Sequence, residues 1–363
     1  MNPILKRTLE LGQSVWYDSI SRSALQDGTL ARLAAEGVRG VTTNPSIFQK
    51  AIADSDDYDA EIKELAAGGK SDAEIYDALT LADVKRACAL FLDLWKASEG
   101  GDGFVSLEVN PLIADDRGTT VSEAIRLWKA LDCPNAMIKI PATPAGAAAM
   151  EEVIAEGVSV NATLLFSQDQ YRAVAEAYIK GLERRAEKGL ALTPSSVASV
   201  FVSRLDTALD PLLAQKAPQL AGRVAIDNAK AVYGIFEELF SSPRWARLAG
   251  KGAKVQRPLW ASTGTKNKAY SPTLYVDSLI GRDTVNTLPP ATLEAFMRQG
   301  TARAAIREGA AAEDLRQLAS CGIELHAVTD KLLADGLASF AKAFRDLMGS
   351  IAEKRRRLAG GER

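Results

Sequence analysis

Short apolar segments alternate with helical patterns along the chain from residue 14 to about residue 290. Each segment is rich in β-branched or aromatic residues, which is typical of β-strands. Repeated strand–helix alternation predicts a parallel sheet covered by helices, and eight such units favour a closed (β/α)8 TIM barrel over an open sheet. The predicted strands are residues 14–19, 38–44, 104–110, 135–141, 159–166, 197–203, 255–263 and 283–289.

The segments between the predicted strands carry signals that begin helices. In a capping box, a Ser or Thr and the Glu or Gln three residues later each satisfy an amide donor at the helix start. Three pairs match this spacing: Ser71 with Glu74, Thr120 with Glu123, and Ser167 with Gln170. We therefore predict a helix start at each pair.

Two regions exceed what a minimal barrel needs. Residues 45–99 contain at least two helical stretches, and residues 291–358 are predicted to be an entirely helical C-terminal extension. The basic run at 354–357 is predicted to be a solvated helix end, where cations suit the helix dipole. With no low-complexity linker, we predict one domain over residues 1–363, with its barrel core at about 14–290.

Composition narrows the possible functions. The chain has a formal net charge of −2, three widely spaced cysteines and one histidine, His326. Near-neutral charge argues against a nucleic-acid binder, and the scarcity of histidine argues against a His base or a multi-His metal site. The cysteine spacing favours a reducing compartment, and we see no signal-peptide core or membrane-spanning run. We expect a cytoplasmic monomer or homodimer without metal, nucleic-acid or membrane partners.

Polar residues occupy one parity of several predicted strands. Strand side chains alternate between faces, so Ile138 and Ile140 share one face and Lys139 occupies the other. In a barrel the apolar parity should pack against helices while the polar parity faces the axis, near the strand ends where barrel enzymes act. The same alternation places Trp16 and Asp18 on one face of the first strand, and Trp260 and Ser262 on one face of the seventh. Polar residues of the inward parity include Asp18, Ser106, Glu108, Lys139, Asn161, Thr163 and Ser199.

Lys139 is the candidate nucleophile. A strand lysine could instead reach solvent or simply form an ion pair with Glu108. Its flanking isoleucines and the converging acids favour reactivity, because an amine in a desolvated or cationic site loses proton affinity and can attack a carbonyl. Asp18 and Glu108 could form a structural hydrogen-bond network, but with histidine scarce they are the available proton shuttles.

The remaining candidates are individually weaker. Thr163 and Ser199 could merely satisfy backbone groups. Arg204 follows the sixth predicted strand and could be a surface ion-pair member, although its planar guanidinium also suits a phosphate at that position. The stretch ASTGTKN, residues 261–267, resembles a phosphate-cradling loop only weakly.

Seven motifs resemble those of the transaldolase family and occur in the same order. They are VTTNPS (41–46), VSLEVN (105–110), MIKIPAT (137–143), NATLLFS (161–167), VFVSRLD (200–206), WASTGTKN (260–267) and VTDKLLADG (328–336). The resemblance covers residue 14 to beyond residue 340, and its length and ASTGTKN form are similar to the longer bacterial subfamily. It implies a TIM barrel of the pentose phosphate pathway that needs neither metal nor organic cofactor.

The resemblance also implies roles for single residues. Lys139 matches the Schiff-base lysine, Asp18 the acid/base carboxylate, and Glu108 with Thr163 the pair that positions a catalytic water. The substrate-contacting positions it implies are Asn44, Asn161, Ser199, Phe201, Arg204, Ser262 and Lys266. Among these, Arg204 and Ser262 match phosphate contacts. Shorter relatives carry a second arginine in a Ser-Phe-Arg segment, whereas this chain reads STGTK over residues 262–266. Lys266 can replace the charge of that arginine but not its bidentate geometry.

The implied reaction transfers a dihydroxyacetone unit through a Schiff base on Lys139. The donor is sedoheptulose 7-phosphate or fructose 6-phosphate, and the acceptor is glyceraldehyde 3-phosphate or erythrose 4-phosphate. Two alternatives stay open: a fructose-6-phosphate aldolase that releases free dihydroxyacetone, and a non-catalytic sugar-phosphate-binding protein. Phe201 resembles transaldolases, whereas the aldolase relatives tend to place tyrosine at this position.

Overall fold

Eight parallel strands close into a barrel in sequence order in the computed structural model, which describes residues 1–359. The last strand pairs with the first, so no edge is left open. The strands are β1 Gln13–Tyr17, β2 Gly40–Thr42, β3 Phe104–Glu108, β4 Ala136–Pro141, β5 Val160–Leu165, β6 Ser196–Phe201, β7 Arg257–Ala261 and β8 Thr284–Leu288. The predicted TIM barrel is confirmed, and no strand extends more than one residue beyond its predicted segment.

Helices connect the strands and extend beyond them. They are α1 Pro3–Glu10, α2 Arg22–Gln26, α3 Thr29–Glu36, α4 Pro45–Ala53, α5 Asp59–Ala67, α6 Asp72–Ala97, α7 Arg117–Leu131, α8 Pro144–Ala155, α9 Gln168–Glu187, α10 Ser203–Lys216, α11 Val224–Phe240, α12 Pro243–Ala249, α13 Leu274–Ser278, α14 Pro290–Gln299, α15 Ala311–Ser320 and α16 Leu325–Ala359. Short 3₁₀ turns lie at Pro111–Ile113 and Pro218–Leu220.

Two of the three predicted capping boxes are confirmed, those that begin at Ser71 and Ser167. The prediction for Thr120 is wrong because Asp116 caps α7 instead. Its Oδ1 accepts a hydrogen bond of 2.9 Å from the amide of Thr119. Thr120 lies inside the helix, where its hydroxyl donates to the carbonyl of Ile113 at 3.0 Å.

Apolar side chains fill the N-terminal half of the barrel interior. This cluster includes Trp16, Phe104, Met137, Val197, Leu259 and Val285. The fit is close enough to require glycine at residue 40, since a Cβ there would lie 2.7 Å from the ring of Trp16. A barrel filled at this end is a packed core rather than a pore. The open space at the C-terminal end is lined mainly by polar residues.

The predicted strand parity holds in β4, where Ile138 and Ile140 pack in the outer core while Lys139 lies inside. It is wrong in β7. Trp260 packs outward against the helices, whereas the inward residue is Ala261. Ser262 nevertheless reaches the inside because its backbone is left-handed, with φ of 54°. A left-handed residue breaks the alternation on which the prediction depended.

The regions beyond the minimal barrel lie against each other. Residues 45–99 form α4, α5 and α6, and the C-terminal helix α16 packs against all three. The prediction of an entirely helical C-terminal extension is wrong, because residues 300–310 form an irregular segment between α14 and α15.

The predicted solvated helix end at 354–357 holds for Arg356 and Arg357, which are exposed in the last turn of α16, but it is wrong for Lys354. Lys354 is buried and donates to Asp59 Oδ1 at 2.6 Å, and Arg355 contacts Asp72 at 2.9 Å. These partners belong to α5 and α6, and the sequence pattern gave no indication of their position. The basic run therefore attaches α16 to the insertion. No helix of residues 1–359 combines the length and apolarity needed to cross a membrane.

Candidate active site

A cavity of about 190 Å³ opens at the C-terminal end of the barrel. Its walls come from the ends of β1, β2, β4, β6, β7 and β8 and from α16. Eight of the predicted site residues line it: Asp18, Asn44, Lys139, Ser199, Phe201, Arg204, Ser262 and Lys266. The fold therefore brings together residues that are far apart in the sequence.

Lys139 lies on the inner face of β4 and is 4% exposed. Its Nζ is 3.2 Å from Oε2 of Glu108, which occupies the paired position on β3. The same amine donates to the carbonyl oxygen of Thr43 at 3.1 Å. These contacts fix the amine at the wall of the cavity, where a carbonyl carbon can approach it.

Asp18 follows β1 and shares the cavity with Lys139. Thr42 Oγ1 donates to Asp18 Oδ1 at 2.6 Å. Thr42 Oγ1 also lies 2.6 Å from Thr287 Oγ1. Burial raises the pKa of Asp18, although the charge of Lys139 and the hydrogen bond from Thr42 oppose that rise. A carboxyl held above its ordinary pKa is suited to taking and returning a proton.

Glu108 and Thr163 lie buried beside the cavity rather than on its surface. Burial raises the pKa of Glu108, the charge of Lys139 lowers it, and the negative charge of Asp18 raises it further. Within residues 1–359, neither Glu108 Oε1 nor Thr163 Oγ1 has a hydrogen-bond partner. Buried polar atoms of this kind are costly unless they interact with something else.

The resemblance implies that Asn161 contacts the substrate, but its side chain lies deeper in the barrel than the cavity. Its Oδ1 accepts a 2.7 Å hydrogen bond from Ser199, and its Nδ2 donates to Ser106 Oγ at 3.0 Å. The side chain is fully buried and does not line the cavity. Asn161 therefore orients Ser199, which does line the cavity.

A cationic rim lies on the side of the cavity formed by β6 and β7. Arg204 lies in the first turn of α10 and has no ion-pair partner within the described residues, and burial lowers the pKa of its guanidinium. Its Cζ is 5.2 Å from the centre of the Phe201 ring. Ser262 Oγ contacts Ser203 Oγ at 2.9 Å, which joins the two strand ends. Lys266 completes the rim as an exposed side chain.

Asn44 has two roles. Its Oδ1 caps α4 by accepting from the amide of Ile47 at 3.0 Å, while the residue also lines the cavity. Sequence reasoning missed Thr42, Thr287 and Phe340, which line the cavity as well. Strand parity could have indicated Thr42, but nothing in a helical pattern indicates which residue of α16 reaches the barrel.

Histidine does not line the cavity that the structure describes. Residues 1–359 contain no group of three or more His, Cys, Asp or Glu side chains placed to hold a metal ion. His326 is exposed and pairs with Asp330 at 2.9 Å. The fold and site define a TIM-barrel enzyme whose lysine and carboxylates meet at the C-terminal end of the strands, where such enzymes act.

Comparison with known proteins identifies the family. The sequence model described as Transaldolase/Fructose-6-phosphate aldolase matches residues 15–351. The chain belongs to the transaldolase/fructose-6-phosphate aldolase family, which confirms the resemblance noted from its motifs.

Three relatives, each named transaldolase, match almost the whole chain. The protein of Mycolicibacterium smegmatis is 46% identical over 356 residues, covering 96% of each chain. That of Neisseria meningitidis serogroup A is 45% identical over 351 residues, covering 96% of this chain and 99% of the relative. That of Trichodesmium erythraeum is 43% identical over 369 residues, covering 96% of each. In each case the likeness extends over 96% of this chain.

Proposed function

We propose that this chain is a transaldolase that moves a dihydroxyacetone unit between sugar phosphates through a Schiff base on Lys139. The observation that carries the proposal is the position of the Lys139 amine. It lies in the same cavity as Asp18, below a rim whose cations Arg204 and Lys266 have no ion-pair partner within residues 1–359. A ketose phosphate fits this arrangement, since its carbonyl can meet the amine while its phosphate meets the cations.

The reaction begins with attack of the Lys139 amine on C2 of the ketose phosphate. Loss of water gives an iminium ion, which acts as an electron sink. Asp18 then removes the proton of the C4 hydroxyl, the C3–C4 bond breaks and its electrons form an enamine. The aldose phosphate leaves. A second aldose phosphate then accepts the C3 carbon, Asp18 returns the proton, and hydrolysis of the iminium ion frees the new ketose and the amine.

Glu108 and Thr163 serve the steps that involve water. Both have a buried oxygen available for a hydrogen bond, and Glu108 contacts the nucleophilic amine directly. A carboxylate and a hydroxyl placed in this way can hold a water molecule and exchange protons with the nitrogen during Schiff-base formation and hydrolysis.

The other cavity residues bind the sugar. Asn44 and Ser199 are polar groups at the amine side and suit the hydroxyls of the three-carbon unit, with Asn161 fixing Ser199. Arg204, Ser262 and Lys266 lie on the rim and suit the phosphate. The N-terminus of α10 adds to that site, because a helix N-terminus favours an anion.

The proposed setting is cytoplasmic carbohydrate metabolism. Donors would be sedoheptulose 7-phosphate or fructose 6-phosphate and acceptors glyceraldehyde 3-phosphate or erythrose 4-phosphate, as in the pentose phosphate pathway. We propose that the working state is a monomer or a homodimer.

Borohydride trapping with fructose 6-phosphate tests the proposal. Intact mass and peptide mapping should show a reduced three-carbon adduct on Lys139, and none in Lys139→Met. A matched control is Lys266→Met, which removes a rim lysine and should leave the adduct on Lys139. Absence of any adduct, in a folded protein shown to bind the sugar, would instead support a non-catalytic sugar-phosphate-binding protein.

The second candidate is the aldolase reaction included in the family description. It would use the same Lys139 cavity and would release free dihydroxyacetone without an acceptor. Acceptor dependence separates the two: a transaldolase forms new ketose phosphate only when an aldose phosphate is added, whereas an aldolase turns over fructose 6-phosphate alone.

A further inference from the structure

The C-terminal helix α16 supplies one wall of the Lys139 cavity. Phe340, on this helix, lines the cavity and is 3% exposed. The centre of its ring lies 5.7 Å from Lys139 Nζ. An apolar ring beside the nucleophile contributes no proton transfer of its own. Its effect therefore has to come from the water that it excludes and the positive charge that it stabilises.

Close packing fixes the position of this wall. Gly336 lies one turn before Phe340, and a Cβ there would be 3.1 Å from Leu164 Cδ2 and 3.5 Å from Arg204 Nη1. Leu164 reaches the barrel mouth because its backbone is left-handed, with φ of 60°, where β5 shifts register against β6. Leu337 of the helix joins the same apolar cluster. The helix backbone is therefore held against the barrel mouth at contact distance.

The covalent enamine has two possible fates, and water decides between them. In transfer, C3 of the enamine attacks the aldehyde carbon of the acceptor. In release, C3 takes a proton from water, water adds to C2 of the resulting iminium ion, and the C2–N bond breaks. Free dihydroxyacetone then leaves and the amine of Lys139 is regenerated. A closed, water-poor site suppresses such side reactions.

We propose that Phe340 determines reaction specificity by keeping bulk water from C3 of the enamine. The ring leaves Glu108 and Thr163, on the barrel side, as the groups that handle the water required for the productive steps. Its face also attracts the positive charge of the iminium ion. This inference rests on the proposed Schiff-base function and adds a reason for the long C-terminal helix.

The test compares two rates in one preparation. One is release of free dihydroxyacetone from fructose 6-phosphate alone, and the other is formation of sedoheptulose 7-phosphate when erythrose 4-phosphate is present. Phe340→Ala should raise the ratio of release to transfer roughly tenfold, because water then reaches the intermediate. Phe340→Leu, which keeps apolar bulk, should raise it less. In D₂O, dihydroxyacetone released by Phe340→Ala should carry deuterium at the carbon that was C3.

Phe344 provides the matched control. It lies one turn further along α16, is also buried, and packs edge-on against Tyr76 with ring centres 5.3 Å apart. Phe344→Ala removes the same volume from the same helix and should leave the ratio unchanged. A merely structural role for Phe340 would lower both rates together and leave the ratio as it was.

The outcomes separate the two proposals. An unchanged ratio in both Phe340 variants, with the borohydride adduct still on Lys139, overturns the role of Phe340 and leaves the Schiff-base function standing. Absence of the adduct in the wild-type chain removes both. Because the ratio is independent of the folded fraction, partial misfolding of Phe340→Ala does not hide the result, and Phe340→Leu provides a milder second measurement.

Discussion

Asp18 and Asp102 are aspartates at opposite ends of the same barrel, and their pKa values are displaced in opposite directions. Asp18 lies at the C-terminal end, where burial raises its pKa. At the N-terminal end burial alone would also raise the pKa of Asp102, but the charges of Arg257 and Arg39 outweigh it and hold the pKa below its ordinary value.

At the N-terminal end of the barrel, each carboxylate oxygen of Asp102 accepts two hydrogen bonds. Asp102 Oδ2 accepts from Arg39 and from Ser14, each at 2.6 Å, and Oδ1 accepts from Trp16 at 3.0 Å and from Arg257 at 3.2 Å. A cavity of about 420 Å³ lies beside it, larger than the Lys139 cavity. Its size does not make it the stronger site candidate, because this carboxylate and both guanidiniums already have partners within the protein.

The Lys139 end differs in its charged groups, because neutral side-chain oxygens without a hydrogen-bond partner, those of Gln13, Asn135 and Gln256, also occur at the N-terminal end. Arg204 has no ion-pair partner in the described chain, and Glu108 Oε1 and Thr163 Oγ1 have no hydrogen bond there. Unpaired buried groups reduce stability, so such an arrangement suits groups that bind a substrate. The comparison teaches that charge at one end is paired within the fold, while charge at the other end is left available for the proposed substrate. Substitutions at the two ends should therefore have different consequences.

The largest effect is expected at the nucleophile. Lys139→Met should lower kcat by at least about 10⁴-fold, because no other amine of the cavity is placed to form the Schiff base. The variant should still bind sugar phosphate, which isothermal calorimetry can measure beside a turnover assay. Residual activity near the wild-type rate would show that Lys139 is not the nucleophile.

At the opposite end, Asp102→Asn should cost about 3–5 kcal/mol of unfolding free energy, since it leaves two partly buried guanidiniums without their carboxylate. The kcat of the folded fraction should be unchanged. Because the folded-state pKa of Asp102 is depressed, its stabilisation is present above the ordinary aspartate pKa and is lost as pH falls below about 4. Urea unfolding at neutral and acidic pH checks both points: the difference between wild type and variant should shrink in acid.

The two cations of the rim, Arg204 and Lys266, should contribute unequally to binding of the sugar phosphate. Arg204→Lys keeps the charge but loses the planar fork, and KM for the sugar phosphate should rise by roughly 10- to 100-fold. Lys266→Met should raise KM only a few-fold, because an exposed cation contributes about 1 kcal/mol or less. Neither variant should lose thermal stability, since neither side chain has an ion-pair partner in the described chain. Equal KM effects would show that the two cations share the phosphate equally.

The smallest effect is a shift in pH dependence. Asp18 must be ionised to take a proton, so activity should fall as pH decreases through its raised pKa, above the ordinary aspartate value of about 4. Thr42→Val removes a hydrogen bond that lowers the pKa of Asp18, and the acid limb of kcat should move to higher pH. A limb that moves to lower pH would contradict the assignment of Asp18 as the base.

The sequence by itself determined the barrel and indicated eight of the residues that line the Lys139 cavity. Strand periodicity placed Lys139 opposite its flanking isoleucines, because alternation along a strand is a local property. Residues at the strand ends, such as Asp18 and Arg204, could be assigned because parallel strands of a barrel bring their C-terminal ends together.

Tertiary structure alone decided features that depend on distant contacts. The left-handed backbone of Ser262 reversed the face expected from alternation, and Asn161 lies one layer deeper because Ser106 and Ser199 occupy its hydrogen bonds. Burial of Lys354 and the approach of Phe340 to Lys139 likewise depend on where α16 crosses the barrel. Periodicity shows which face of a helix is apolar, but packing against the assembled barrel decides which residue of that face meets the nucleophile.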